Sequence, residues 1–444
     1  MITKAGLNSL TGTALLAASL LVSGGASAQE TSDQNWAIHA QATFVLQANA
    51  RFRSPYQGPN SLDHRGHAKE TFDLTGYFGV RPWNGAEIWV NPEIDQGFGL
   101  SNTLGVAGFP SGEAYKVGKT NPYAKLPRWF LRQTVALGGK SEKVEAGLNQ
   151  LAADHTANRL VLTLGKFGVV DVFDTNDQAH DPRSDFMNWT IIDAGTFDYA
   201  ANAWGYTYGA AAELYEGRWA ARAGFFALSK VPNSVELDSS FRQFEVDGEI
   251  EERHSIAGRP GKLKLTVFLN HGRMGRFEDA IRLAEETGGP ADITAVRRVL
   301  SRAGVSFNIE QQVSKAVSLF MKGGITNGNI EPFEFTDVDR TISLGVRVKG
   351  GAWNRPDDTI GIAGVINGIS RVHERFLDAG GLGILVGDGK LPHPGPEQIV
   401  EAYYDFAVAK PLHVSLDGQF INHPAHNKDR GPVAIGGIRL HAEF

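Results

Sequence analysis

From Trp36 to Phe52 every even-numbered position is apolar: Trp36, Ile38, Ala40, Ala42, Phe44, Leu46, Ala48, Ala50 and Phe52. The odd positions include His39, Gln41, Thr43, Gln47, Asn49 and Arg51. Alternation at period two predicts a strand with one oily and one wet face. Its length, about seventeen residues, exceeds the five or six of an ordinary soluble strand and the roughly 9–11 needed to cross a bilayer. The last residues repeat the pattern. Ile438, Leu440, Ala442 and Phe444 would meet lipid, while Arg439, His441 and Glu443 would point into a water-filled lumen. An edge strand of a soluble sheet would give the same short pattern, but not the same length elsewhere.

The next segments continue the alternation. Phe72, Leu74, Phe78 and Val80 interleave with Asp73, Thr75, Tyr77 and Arg81. Asn84-Gly85 supplies a hairpin turn, and Ala86, Ile88, Val90 and Ile94 return opposite Glu87, Asn91, Glu93 and Asp95. Further short turns are expected at Gly217-Arg218, Gly258 to Gly261, Ser314-Lys315, Gly350-Gly351 and Lys410-Pro411. Long connections fall between them: 53–67, 98–125, 168–203, 231–240, 273–299, 326–335, 368–395 and 422–430. Counting strands between these punctuations predicts an all-β, antiparallel, up-and-down transmembrane β-barrel of about sixteen strands, with short periplasmic turns and long extracellular loops, some folded inward. Segments 273–299 and 370–379 read as helical, with Phe277, Ile281 and Ala284 at helical spacing. One connection breaks the rule: Lys140 to Asn158 is long although it belongs on the periplasmic side.

Residues 1–28 carry the marks of an export leader: Lys4, the apolar run Leu15 to Val22, and the small-residue site Ala26-Ser27-Ala28. The expected division is a signal peptide at 1–28 and a single barrel domain at 29–444. No later segment offers the roughly 18 apolar residues of a membrane helix, so the reading is a Gram-negative outer membrane crossed by strands. There is no cysteine, which excludes disulfides and thiolate sites. The net charge of -6 does not suggest a nucleic-acid partner. Hydrophobic residues at 42% look soluble, as expected where only every second strand residue meets lipid.

The third long connection is the most charged and aromatic. It contains Asp171-Val172-Phe173-Asp174 and then His180-Asp181-Pro182-Arg183-Ser184-Asp185-Phe186-Met187-Asn188-Trp189. Folded inward, it would narrow the channel and present Arg183, Asp185 and Trp189 to a permeant. Packed on the wall, Asp181 and Arg183 would be turn and salt-bridge residues. His180, Asp181 and Asp185 are too scattered for a metal or hydrolytic site, and no metal or other cofactor is expected.

Strand parity puts Arg51, Asp73, Arg81, Glu93, Arg132, Arg222, Glu245, Glu310, Arg347, Glu401, Asp405, Asp417, Gln419 and Arg439 on inward faces. These could be a solvated lumen with wall ion pairs. They could also form a constriction for a polyhydroxylated solute, with carboxylates accepting its O–H groups and guanidinium groups donating in a fixed fork. Mixed charge argues against an anion pore. The candidate pore residues are Arg51, Asp73, Arg81, Glu93, Arg132, Asp185, Trp189, Arg222, Glu401, Asp417 and Arg439. Paired carboxylates could also serve a glycosidase, but nothing supplies a closed, dry cleft. A barrel enzyme acting on glycans or lipids, and a plugged adhesin or structural barrel, are the rival readings.

Several long segments resemble one family. Gly165-Lys166-Phe167 through Asp174, Ala179 through Trp189, Asp193-Ala194-Gly195-Thr196-Phe197-Asp198-Tyr199, Arg273-Met274-Gly275-Arg276-Phe277, Arg355-Pro356-Asp357-Asp358-Thr359, Gly381 to Gly389, His393-Pro394-Gly395-Pro396-Glu397 and Arg430-Gly431-Pro432-Val433 are similar to the carbohydrate-selective porins, the OprB family. Gln178 departs from it, standing where members often carry an aromatic residue. The resemblance implies a sixteen-stranded outer-membrane barrel, narrowed by inward loops, that admits glucose and related sugars by passive diffusion. The expected partners are carbohydrate permeants, outer-membrane lipid and lipopolysaccharide, and the barrel-assembly machinery acting on the strand that ends in Phe444. A monomer and a homotrimer both fit.

Overall fold

The structure, a computed structural model, describes residues 34–114 and 118–444. The expected leader at 1–28 lies outside the described residues. Sixteen strands appear among the described residues: β1 (Trp36–Asn49), β2 (His67–Val80), β3 (Ala86–Gly97), β4 (Lys119–Val144), β5 (Ala153–Phe167), β6 (Thr207–Glu216), β7 (Trp219–Ala227), β8 (Phe244–Ile256), β9 (Arg259–Met274), β10 (Arg298–Gln312), β11 (Val317–Thr326), β12 (Arg340–Lys349), β13 (Thr359–Gly368), β14 (Glu397–Ala409), β15 (Leu412–Asn422) and β16 (Val433–Glu443). Each pairs antiparallel with its sequence neighbours, and β1 pairs with β16 from Gln41↔Glu443 to Asn49↔Ile435, which closes the barrel. Closure leaves no strand edge unpaired around the wall, as a hydrocarbon environment requires.

The alternation holds. Trp36 and Ile38 are 66% and 62% exposed on the outside, while Gln41, Thr43, Gln47 and Asn49 are buried inside. Leu440 is 37% exposed and its neighbour Arg439 is 1% exposed. β1 ends three residues earlier than the pattern suggested. Phe52 does not meet lipid; it turns inward beneath the Arg430 guanidinium, 5.5 Å from its ring centre. Ala442 is small and also largely covered.

Short turns close one rim. Gly217-Arg218 and Lys410-Pro411 join strands directly, and Gly85 alone takes positive φ in the Asn84-Gly85 turn. The turn expected at 258–261 lies instead at Ala257-Gly258, both with positive φ. The Gly350-Gly351 connection is longer than expected and begins with a 3-10 turn, Gly350–Trp353. Among the described residues the long connections carry three α-helices: α1 (Trp189–Ile192), α2 (Phe277–Thr287) and α3 (Arg371–Asp378). α2 buries Phe277, Ala280, Ile281 and Ala284, and Phe277 stacks on His373 of α3 with ring centres 4.2 Å apart. No helix among the described residues is long and apolar enough to cross a membrane.

The hydrophobic core sits inside the barrel, between wall and loops. Phe130 and Phe167 of β4 and β5, Phe226 of β7, Phe268 of β9, Phe320 of β11 and Tyr403 of β14 occupy inward positions that parity reserves for polar side chains. Each packs in an aromatic network with loop 168–206 or its neighbours. Phe226 meets Phe173 at 6.1 Å, Phe268 meets Phe197 at 5.3 Å, and Phe186 sits between Phe320 (5.5 Å) and Tyr403 (5.0 Å). The lumen is therefore filled by folded loops over much of its height, rather than by water alone. Burying those rings is what compensates the entropy of ordering so long a segment.

Candidate functional site

Loop 168–206 enters the lumen because the wall offers it hydrogen-bond partners. Glu249 of β8 accepts the Asp174 N–H (2.9 Å), and Glu310 of β10 accepts that of Asp177 (2.9 Å). Glu401 of β14 accepts those of Met187 (2.5 Å) and Asn188 (3.0 Å). Arg439 of β16 donates to the carbonyls of Pro182 (2.7 Å) and Asp185 (2.8 Å), and Arg347 of β12 to that of Asp177 (2.8 Å). A second inward segment, 98–114, is held the same way: Glu397 accepts the N–H groups of Ala107 (3.0 Å) and Gly108 (2.7 Å). Asn188 ties the two together through the Gly108 carbonyl (2.8 Å). A loop within a barrel cannot rely on water for its backbone groups, so side chains on the wall satisfy them.

What the loops leave open is a cavity of about 450 Å³ against β2–β5. Arg128, Arg132 and Arg183 line it with Asp171, Asp181 and Glu113, edged by Tyr77, Trp189, Trp204 and Tyr206. Arg128 grips Asp171 through two hydrogen bonds (2.8 and 2.7 Å), and its guanidinium lies 4.8 Å from the centre of the Tyr206 ring. Burial works to raise the Asp171 carboxyl, but Arg128 outweighs it and holds the group below the usual carboxylate range. Arg183 reaches from the loop to Asp73 (3.3 Å), Glu113 (3.4 Å) and Glu93 (3.7 Å). Lys125 adds pairs with Glu93 (3.1 Å) and Asp95 (2.9 Å). Burial pushes the Asp193 carboxyl, at the end of α1, up to about 7. Burial, with Lys322 nearby, lowers His180.

The candidate residues separate accordingly. Arg132 and Trp189 border the cavity, Trp189 stacked on Phe109 with ring centres 5.3 Å apart. Asp73 and Glu93 stand just behind it as partners of Arg183. The others do not meet there. Arg51 lies beyond the end of β1 and is exposed, because the strand stops before it. Arg81 lies past β2 on the opposite rim and donates to the Ala152 carbonyl (3.2 Å). Asp185 pairs with Arg347 (3.1 Å), away from the cavity. Arg222 belongs to a wall cluster with Glu213, Glu249 and Glu251 at 2.7–3.0 Å. Glu401 and Arg439 are loop anchors, and Asp417 is buried one strand over, taking a hydrogen bond from Gln419 (3.2 Å). Parity placed Arg222, Glu401, Asp417 and Arg439 inside the barrel, and the inward loops occupy the space that Glu401 and Arg439 face; it did not hold for Arg51 and Arg81, which lie beyond the strand ends.

Arg128, Asp171, Tyr206 and Trp204 were missed. An Arg at an inward position just before Trp129 carried the same signal as Arg132. The aromatics lie in loop sequence, where no period marks direction. Among the described residues no group of His, Asp and Glu is arranged to hold a metal ion.

Chemically, the cavity offers fixed guanidinium donors, carboxylate acceptors and aromatic edges in close alternation. Such a surface suits a neutral solute dense in hydroxyl groups. Arg128 pairs with Asp171, and Arg183 is shared among Asp73, Glu93 and Glu113.

Comparison with known proteins agrees with this architecture. The structure aligns with the high-pH structure of Pseudomonas putida OprB at a TM-score of 0.71 and 16% identity, covering 92% of this chain and 94% of that one. It aligns with the outer-membrane channel DcaP of Acinetobacter baumannii at a TM-score of 0.50 and 10% identity, covering 92% and 97%. At such identities these likenesses establish the fold. No curated protein matches the sequence. The family model "Carbohydrate-selective porin, OprB family" matches residues 60–444. The chain therefore belongs to the carbohydrate-selective porin family OprB, and is an outer-membrane sugar porin.

Proposed function

We propose that mono- and short oligosaccharides, glucose among them, cross by passive diffusion through the cavity beside loop 168–206, without chemical turnover. The observation that carries this is the ring of paired groups: Arg128–Asp171 and Arg183 with Asp73 and Glu113, bordered by Tyr77, Trp204 and Tyr206. A sugar hydroxyl can exchange with either member of such a pair at little cost, and the aromatic rim can cover a C–H face. Binding has to be weak enough to release the solute, so affinity is expected in the millimolar range, worth roughly 4 kcal/mol. On this reading residues 1–28 are an export leader, residues 29–444 form the barrel domain, and the strand ending in Phe444 is what the barrel-assembly machinery recognises.

Liposome swelling with glucose, sucrose and an amino acid of similar size tests the proposal. Faster uptake of the sugars is expected; equal rates would refute sugar preference while leaving a pore. Because loops fill so much of the lumen, a plugged barrel is the competing reading. Absence of ionic current in planar bilayers would favour it.

A further inference from the structure

The connection that broke the turn rule has a defined shape. β4 and β5 stay paired to Val144↔Ala153, well past the last partners that β3 and β6 give them, Gln133 and Arg159. The extra length is a two-stranded ribbon with no neighbouring strand on either side. At its base the register breaks around Gly138, and Gly138 and Gly139 take φ of 104° and 90°. That region of backbone space favours glycine, and it bends the ribbon. In the tip, residues 145–152, Glu145 and Ala146 are exposed, and from Gly147 onward the chain packs back against the barrel. Leu151 is fully buried, and Leu148 and Asn149 line the same cavity as Arg132 and Tyr77.

Polar contacts seat the tip. Arg132 donates to the Asn149 carbonyl (2.7 Å), Asn91 to the Asn149 side-chain oxygen (3.0 Å), and Gln150 to Glu87 (3.3 Å). Gln34 exchanges two hydrogen bonds with Ala152, at 3.0 and 3.3 Å. Gly147 and Gln150 bond to one another twice (2.9 and 3.1 Å), so the tip is a closed turn. The chain ends lie on this rim: β1 starts and β16 finishes there, and short turns surround it. It is the periplasmic mouth. Joining β4 to β5 needs only the two residues used at Gly217-Arg218, so this ribbon does more than connect strands.

We propose that the 145–152 tip is a second selectivity element, set in the exit of the pore. It limits the length of saccharide that leaves the cavity, with Leu148, Asn149 and Arg132 setting the limit. The inference rests on the sugar-channel reading above and assigns a size filter to the side of the pore opposite the long loops. A solute released from Arg128 and Asp171 must pass the tip before it reaches the periplasm.

The test uses the full chain in liposomes, with glucose and maltotriose as permeants. In one variant an Asn-Gly turn replaces residues 145–152; in a second, Leu148→Ala and Asn149→Ala are combined, leaving the backbone in place. Heat-modifiable electrophoresis identifies folded barrels. The maltotriose-to-glucose rate ratio is expected to rise about tenfold in the shortened variant, equivalent to about 1.4 kcal/mol off the barrier, and to rise by less in the double variant. If the shortened chain does not assemble, the double variant decides. A wild-type ratio in the folded variants would overturn the proposal. Failure of wild-type protein to prefer glucose over an amino acid would instead overturn the sugar reading, so the two failures are distinct.

Discussion

Glu401→Ala separates a loop anchor from a sugar contact. Both oxygens of this fully buried carboxyl group accept backbone N–H groups, from Met187 (2.5 Å) and Asn188 (3.0 Å). Removing it strands two buried donors, each costing about 1–3 kcal/mol, so the seated loop loses roughly 2–6 kcal/mol. The barrel wall keeps its ladder between β13, β14 and β15, so the loss falls on the loop. At about 1.4 kcal/mol per tenfold, the unseated population grows between about thirtyfold and about twenty-thousandfold. Two assays follow from that. Single-channel recordings without sugar should show higher mean conductance and more flicker. Trypsin should cut after Arg183, which is buried in the seated loop. A direct sugar ligand would behave otherwise, losing sugar preference with a quiet empty channel and an uncut loop. A folded E401A protein with wild-type noise and protease resistance would refute the anchor.

Arg128→Ala removes both guanidinium hydrogen bonds from Asp171, which is open to solvent, a loss of about 1 kcal/mol or less for so exposed a pair; swelling assays should show sugar uptake falling toward that of a matched amino acid. Leu440→Arg places a charge on the lipid face and should lower barrel stability by about 2–4 kcal/mol if it lies near the midplane, read by urea unfolding in lipid; an equally stable variant would mean that Leu440 does not face hydrocarbon. Burial raises the Asp193 carboxyl to about 7, so it keeps its proton at pH 5 and gives it up as pH rises toward 8. The folded loop binds that proton more tightly than the unfolded chain, so this stabilisation is complete below the ordinary carboxylate range near 4 and disappears as pH rises through about 7. Channel flicker should therefore increase from pH 5 to 8, and Asp193→Asn should flatten the dependence; an unchanged slope would assign the titration to another group.

The strands were legible because their signal is local. In β1, the side chains at 38, 40, 42 and 44 lie on one face whatever the rest of the chain does, and lipid on that face demands apolar residues at each. Sixteen such segments, punctuated by pairs such as Gly217-Arg218, determine a closed barrel and its inside and outside. The helix at Phe277–Thr287 was legible for the same reason, through a different period. The 140–158 connection could be seen to be too long, yet its fold depends on Asn91, Glu87 and Gln34, which are distant in sequence.

The sequence by itself thus determined the barrel, its family and, within the strands, which side chains turn inward. Only the tertiary structure decided which of those border open space. Arg439 and Glu401 point inward as surely as Arg132 does, but loop 168–206 covers the first two and leaves the third beside open space. Arg183 finds Asp73 and Glu93 across the lumen, and its contact with Asp73 spans 110 residues of chain. The physical reason is that facing is fixed by the geometry of neighbouring residues along one strand. A pore is the space left over when distant segments have packed, and no periodicity encodes that remainder.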